Sequence, residues 1–106
     1  MVKSSIDATY AALADPTRRE LVAVLARGPR TVGELAAPLP MSLVAASKHL
    51  TVLQRAGLVS RTRAGRTQVC RLHGEPLREA SEWLDRYRRF WTTRLDSLET
   101  YLTETS

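Results

Sequence analysis

A chain of 106 residues, 43% of them hydrophobic, makes one small domain whose core is thin enough that a partner subunit would add useful burial. No run approaches the roughly 20 apolar residues of a membrane span, Met1 to Tyr10 holds no signal-peptide core, and one cysteine excludes an internal disulfide, so the expected setting is a reducing cytoplasm. The net charge of +5 is concentrated, because Ser42 to Leu72 carries Lys48, Arg55, Arg61, Arg63, Arg66 and Arg71 and no acid, the footprint of a nucleic-acid site.

Taken in chain order, Ile6, Tyr10 and Leu13 line one face of a first helix predicted over Ser5 to Ala14. Asp15-Pro16 restarts the chain, Asp15 as N-cap and Pro16 at the first helical position, where its missing N–H costs nothing. The second helix turns Leu21, Val22, Val24 and Leu25 inward and ends before Gly28-Pro29. Arg18 and Arg19 read as its solvated or ion-paired edge. Thr31-Val-Gly-Glu34 is a capping box, opening a third helix of about two turns with Val32, Leu35 and Ala36 buried. Pro38-Leu-Pro40-Met41 then forces a sharp turn.

Ser42 to Leu58 contains a complete helix. Ser42 caps its start, Gly57 ends it in the left-handed conformation, and Leu58 packs back on Leu53. At 100° per residue Leu43, Ala46, Leu50 and Leu53 fall inside, with His49 at the stripe's edge as a packing and hydrogen-bonding residue. Val44, Lys48, Thr51 and Arg55 fall outside, flanked by Ala45, Ser47 and Val52. An acid-free face of small, hydroxylated and cationic residues suits a DNA groove, although an amphipathic surface helix would show a similar pattern. Two short helices around a tight turn make a helix-turn-helix whose second member enters the major groove.

Val59 to Arg63 and Arg66 to Leu72 flank Ala64-Gly65 as a β-hairpin, with Gly65 at positive φ. Arg63 and Arg66 at its tip, and Arg61 and Gln68 on its arms, make it a cationic wing able to touch phosphates or a minor groove. The last helix, about Glu75 to Leu102, carries Leu77, Leu84, Trp91 and Leu98 every seven residues. Ala80, Tyr87, Leu95 and Leu102 add a second row. So long a stripe calls for a second subunit, with Ile6, Tyr10 and Leu13 joining the interface. Trp83 and Phe90 widen this face, and Arg78/Glu82, Glu82/Arg86 and Asp85/Arg89 are expected i,i+4 pairs on the other.

The fold class is therefore mainly α with a small β-hairpin: a winged helix-turn-helix of about five helices and a two-stranded wing. It forms a single domain over 1–106, with the helix-turn-helix at about 31–56, the wing at about 58–72 and a dimerisation helix at about 75–102 packed with helix 5–14. The expected DNA-binding residues are Ser42, Val44, Ala45, Ser47, Lys48, Thr51, Arg55, Arg61, Arg63, Arg66 and Gln68, with Ser47 and Lys48 on base edges, Val44 and Ala45 available for thymine methyls, and Thr51, Arg55, Arg61, Arg63 and Arg66 on phosphates. Those expected at the dimer interface are Ile6, Tyr10, Leu13, Leu77, Leu84, Tyr87, Trp91, Leu95 and Leu98. No catalytic constellation, metal set or cofactor motif accompanies them.

Asp15-Pro-Thr-Arg18, Thr31-Val-Gly-Glu-Leu35, the block from Ser47-Lys-His-Leu to Ala56-Gly-Leu-Val59, Gly65-Arg66 and Arg71-Leu72 together resemble the ArsR family of bacterial winged-helix repressors. The resemblance spans nearly the whole chain. It implies a cytoplasmic homodimer that binds a partly palindromic operator in double-stranded DNA and represses by occlusion, often including its own gene. Thr31 and Gly33 stand where arsenic-sensing members have cysteines, and the last helix has no histidine of the zinc-sensing kind, so the likeness is to a subgroup without metal ligands. Cys70 stands where the family commonly has an inward tyrosine and is expected in the core. Two alternatives stay open: a winged-helix module that binds protein, and a repressor released by a small molecule or by oxidation of Cys70.

Overall fold

A computed structural model describes residues 5–105 and contains α1 (Ser5–Ala12), α2 (Pro16–Leu25), β1 (Arg30–Thr31), α3 (Val32–Ala36), α4 (Leu43–Arg55), β2 (Val59–Ala64), β3 (Thr67–Leu72) and α5 (Glu75–Thr105). The first residues of the Met1–Tyr10 stretch lie outside that range. The sheet is antiparallel in the order β1-β3-β2. The wing is thus three-stranded rather than two-stranded, because Arg30 and Thr31 pair with Cys70 and Val69. Two residues give no readable alternation, and Thr31 doubles as a helix cap.

The starts of α2, α3 and α4 are chemically specified. Asp15 Oδ1 accepts from the Thr17 and Arg18 amides at 2.8 and 3.2 Å. Thr31 Oγ1 accepts from Glu34 N while Glu34 Oε1 accepts from Thr31 N, which completes the capping box. Both carboxyls are held below their ordinary pKa by the backbone N–H groups they receive. Ser42 Oγ accepts from Ala45 N at 3.1 Å.

The end of α4 is equally explicit. Gly57 takes φ +79°, its N–H reaches Gln54 O, and Leu58 N–H reaches Leu53 O, both at 3.0 Å. Those two bonds define a Schellman stop and bring the side chains of Leu53 and Leu58 into the core together. At the wing tip Ala64 pairs with Thr67, so the connection is Gly65-Arg66, one residue later than the sequence suggests. Gly65 alone has positive φ there, as a type II′ turn requires.

Leu21, Leu25, Leu35, Leu50, Leu53, Leu58, Val59 and Cys70 form the core, with Leu13, Val32 and Leu77 packed partly against it. Arg18 braces this assembly: Nη2 and Nε donate to the carbonyls of Ala11 and Ala12 at the end of α1, and Nη1 lies 3.4 Å from His49 Nδ1 on α4. His49 is therefore a packing and bridging residue, as its place on the stripe suggests. Leu43 departs from the expected stripe, being 59% exposed, because the first turn of α4 runs beyond the core while Leu39 of the preceding turn packs against it.

The radius of gyration is 18.6 Å, against about 13 Å for a compact domain of this length. The difference is α5, whose 31 residues extend about 46 Å. Only its beginning meets α1, where the Tyr10 hydroxyl donates to Ala80 O at 2.9 Å and the ring packs edge-on to Trp83 at 6.0 Å. On its outer face the ion pairs are Arg78–Glu75 and Arg88–Asp85, at i,i+3, not the i,i+4 pairs expected. Arg89 reaches back four residues as expected, but to the Asp85 carbonyl at 3.4 Å and not to its carboxylate, which Arg88 holds.

Candidate nucleic-acid interface

The site lies where α4 meets the wing. On α4 the row Ser47, Thr51 and Gln54 faces β2, since residues three or four apart share a helix face. Arg61 joins the two elements: Nε donates to Gln54 Oε1 at 3.1 Å, Nη1 to Ser47 Oγ at 3.0 Å and Nη2 to Thr51 Oγ1 at 2.8 Å. Thr51 in turn donates to Ser47 O at 3.0 Å. Arg61, expected on phosphate, thus spends three N–H groups on α4 and retains two of its five. Gln54 is absent from the sequence-derived site, and its place in the Ser47-Thr51 row was the signal for it.

Beside this strut a cleft of about 610 Å³ separates α4 from the wing tip. Leu43, Val44, Ser47, Lys48 and Thr51 form one wall, Arg66, Thr67 and Gln68 the other, with Thr31, Val32 and Gly33 completing the lining. Val44, Ser47, Lys48, Thr51, Arg66 and Gln68 are thereby brought together as the spacing suggests, and Leu43, Thr67 and Thr31–Gly33 are additions. Ser42 is exposed with its hydroxyl engaged as a cap, Ala45 is half-buried, and Arg55 and Arg63 are exposed outside the cleft. Arg63 Nε reaches only the Gly65 carbonyl of its own turn, at 3.3 Å.

No ion pair reaches Lys48, Arg55, Arg63 or Arg66 among the described residues. Two of these cations, Lys48 and Arg66, line a cleft that has no carboxylate in its lining, which favours a positive potential at its mouth. On β3, paired with Arg61 across the sheet, Cys70 is wholly buried. Desolvation raises its thiol pKa, and the nearby Arg61 charge only partly offsets that shift. Among the described residues no group of three or more His, Cys, Asp and Glu could hold a metal ion, and no helix is long and apolar enough to cross a membrane.

A recognition helix braced by a shorter one, with a basic hairpin flanking it, defines a winged helix-turn-helix protein. A helix-turn-helix domain model matches residues 13–62. The HTH-type transcriptional regulator Rv2034 of Mycobacterium tuberculosis is 47% identical over 91 residues, spanning 86% of this chain and 82% of the relative. The crystal structure of the ArsR family transcriptional regulator RHA00566 superposes with a TM-score of 0.77 at 36% identity, covering 84% of this chain and 98% of that one. The solution structure of the homodimeric winged helix-turn-helix DNA-binding domain of Mb0332 from Mycobacterium bovis gives 0.63 at 28% identity, covering 86% and 82%. The chain belongs to the ArsR family of winged helix-turn-helix transcriptional regulators.

Proposed function

We propose that the chain is a homodimeric repressor that binds a partly palindromic operator and blocks RNA polymerase by occupying it, including at its own promoter. The observation that carries this reading is the exposed, acid-free face of α4 set against a cationic wing. In this reading Lys48 reads base edges with Val44 beside it, Ser47 lies within reach, and Arg55, Arg63 and Arg66 neutralise phosphates. Arg61 orients the wing and can still offer its free N–H groups to the backbone.

The dimer rests on α5, where Leu84, Tyr87, Trp91, Leu95 and Leu98 are each about half exposed. A stripe of this size on a monomer marks a contact surface. The homodimeric state of Mb0332 supports carrying that contact to this chain. Leu13 and Leu77, which also pack on the protomer's own core, would join this contact in the proposed dimer, with Ile6 and Tyr10 on α1. A two-fold axis here would set the paired α4 helices about 34 Å apart, on successive major grooves.

Operator selection from random duplexes, followed by anisotropy titration at several salt concentrations, tests the proposal. A palindromic consensus bound at least about 1,000-fold more tightly than random DNA, with steep salt dependence, is the expected result. Equal affinity for all sequences would instead favour a winged-helix module that uses its basic hairpin on an acidic protein.

A further inference from the structure

We infer that Leu43, with Val44, reads thymine by the 5-methyl group and so sets part of the operator sequence; the inference rests on the DNA-binding reading above. Leu43 is 59% and Val44 66% exposed, at consecutive positions of the first turn of α4. Both line the cleft, and nothing else in the fold uses them. The major groove presents one apolar group, the thymine 5-methyl, and residues at the N-terminal end of a recognition helix lie closest to base edges. Two adjacent branched aliphatics there match that group and little else in a groove lined with donors and acceptors.

The neighbours sharpen the assignment. Ser47, one turn after Leu43, has its hydroxyl oxygen held by an Arg61 N–H, which ties it to the wing and leaves Leu43, Val44 and Lys48 as the groups of this wall with no such tie. Lys48 stands four residues after Val44, about 6 Å along the axis, while successive base pairs are about 3.4 Å apart. The apolar step and the lysine therefore fall on base pairs one or two apart. Lysine favours the O6 and N7 acceptors of guanine, so each half-site should hold a thymine within two base pairs of a guanine.

Replacing thymine with uracil removes only the methyl, and the measurement uses the native full chain. On the selected operator, one or two thymine-to-uracil changes per half-site should each weaken binding about fourfold, the effect of withdrawing one buried methyl. Leu43→Ala and Val44→Ala, at exposed positions whose helicity circular dichroism verifies, should bind more weakly and become indifferent to the change. Lys48→Ala should remain sensitive to it. Specific binding with no response to any thymine-to-uracil change, or a response that survives both aliphatic substitutions, overturns the inference and leaves the repressor reading standing. Failure to prefer any sequence removes that reading and the inference together.

Discussion

Arg61 of β2 and Thr51 of α4 meet at 2.8 Å, guanidinium to hydroxyl, so that the angle of the wing is fixed by the helix it flanks. Arg61→Ala should destabilise the half-exposed junction by about 1 to 2 kcal/mol and accelerate amide exchange in β2 and β3. DNA affinity should fall for every sequence alike. Arg61→Lys should recover little, because one ammonium cannot meet three acceptors spread over two turns. Unchanged exchange in Arg61→Ala would show that the hairpin holds its angle without the strut.

Lys48 and Arg63 should separate specificity from affinity. Lys48→Ala is expected to cost about 1 to 3 kcal/mol on the operator and to relax one position of the consensus. Arg63→Ala should weaken all duplexes equally and reduce the salt slope by about one charge. Titrations of operator and scrambled DNA at four salt concentrations distinguish the two, and an interchange of these behaviours would place Arg63, not Lys48, on the bases.

The stop of α4 depends on one left-handed residue. A Cβ added at Gly57 would come no nearer than 3.8 Å to the Pro76 side chain, so the cost of Gly57→Ala is backbone strain of about 1 to 2 kcal/mol. The melting temperature should drop by several degrees. Gly74→Ala meets nothing within 4 Å and should leave it nearly unchanged, so equal losses in both variants would contradict this account.

On α5, Leu84→Arg combined with Trp91→Arg places charge on the apolar face that forms the interface of the proposed dimer. Both residues are exposed in the protomer, at 49% and 56%, so the fold should survive while sedimentation shows a monomer. Operator affinity should collapse toward that of a single half-site. A persistent dimer would move the interface off this face.

Two caps couple the fold to acid. Backbone N–H groups lower the carboxyl pKa of Asp15 and Glu34, so each contributes stability that is present above its unfolded value, about 3.9 for Asp and 4.3 for Glu. That contribution is lost as pH falls through the lower folded values. Melting temperature should therefore decline below about pH 4, and the decline should be shallower in Asp15→Asn, which still accepts the Thr17 and Arg18 amides. Identical pH profiles would remove Asp15 as a contributor.

Where local chemistry decides the structure, the sequence was legible. The three capped helix starts, the glycine stop of α4, the hairpin and the alternation that buries Cys70 all follow from residues within a few positions of one another. What escaped depends on partners far away in the chain. The two-residue β1 exists only because β3 offers it an edge, and Leu43 is exposed because its turn outruns the core although its helical angle is inward. Arg61 could be counted as a cation on a basic wing, but only the packed geometry shows it turned onto Ser47, Thr51 and Gln54. The length of α5 was legible from its seven-residue apolar repeat, and its exposed stripe is what leads to the proposed dimer.

In the proposed dimer that stripe also makes folding a matter of mass action. From Leu84 onward the apolar residues of α5 rely on the twin for cover, so the free energy of the carboxy-terminal arm belongs to the pair and its melting temperature rises with protein concentration. Below the dimer dissociation constant the helix-turn-helix keeps its core while the arm loses its partner and, with it, the spacing that matches two grooves. A repressor built this way responds to its own abundance: dilution alone releases the operator, through the same face that assembles it.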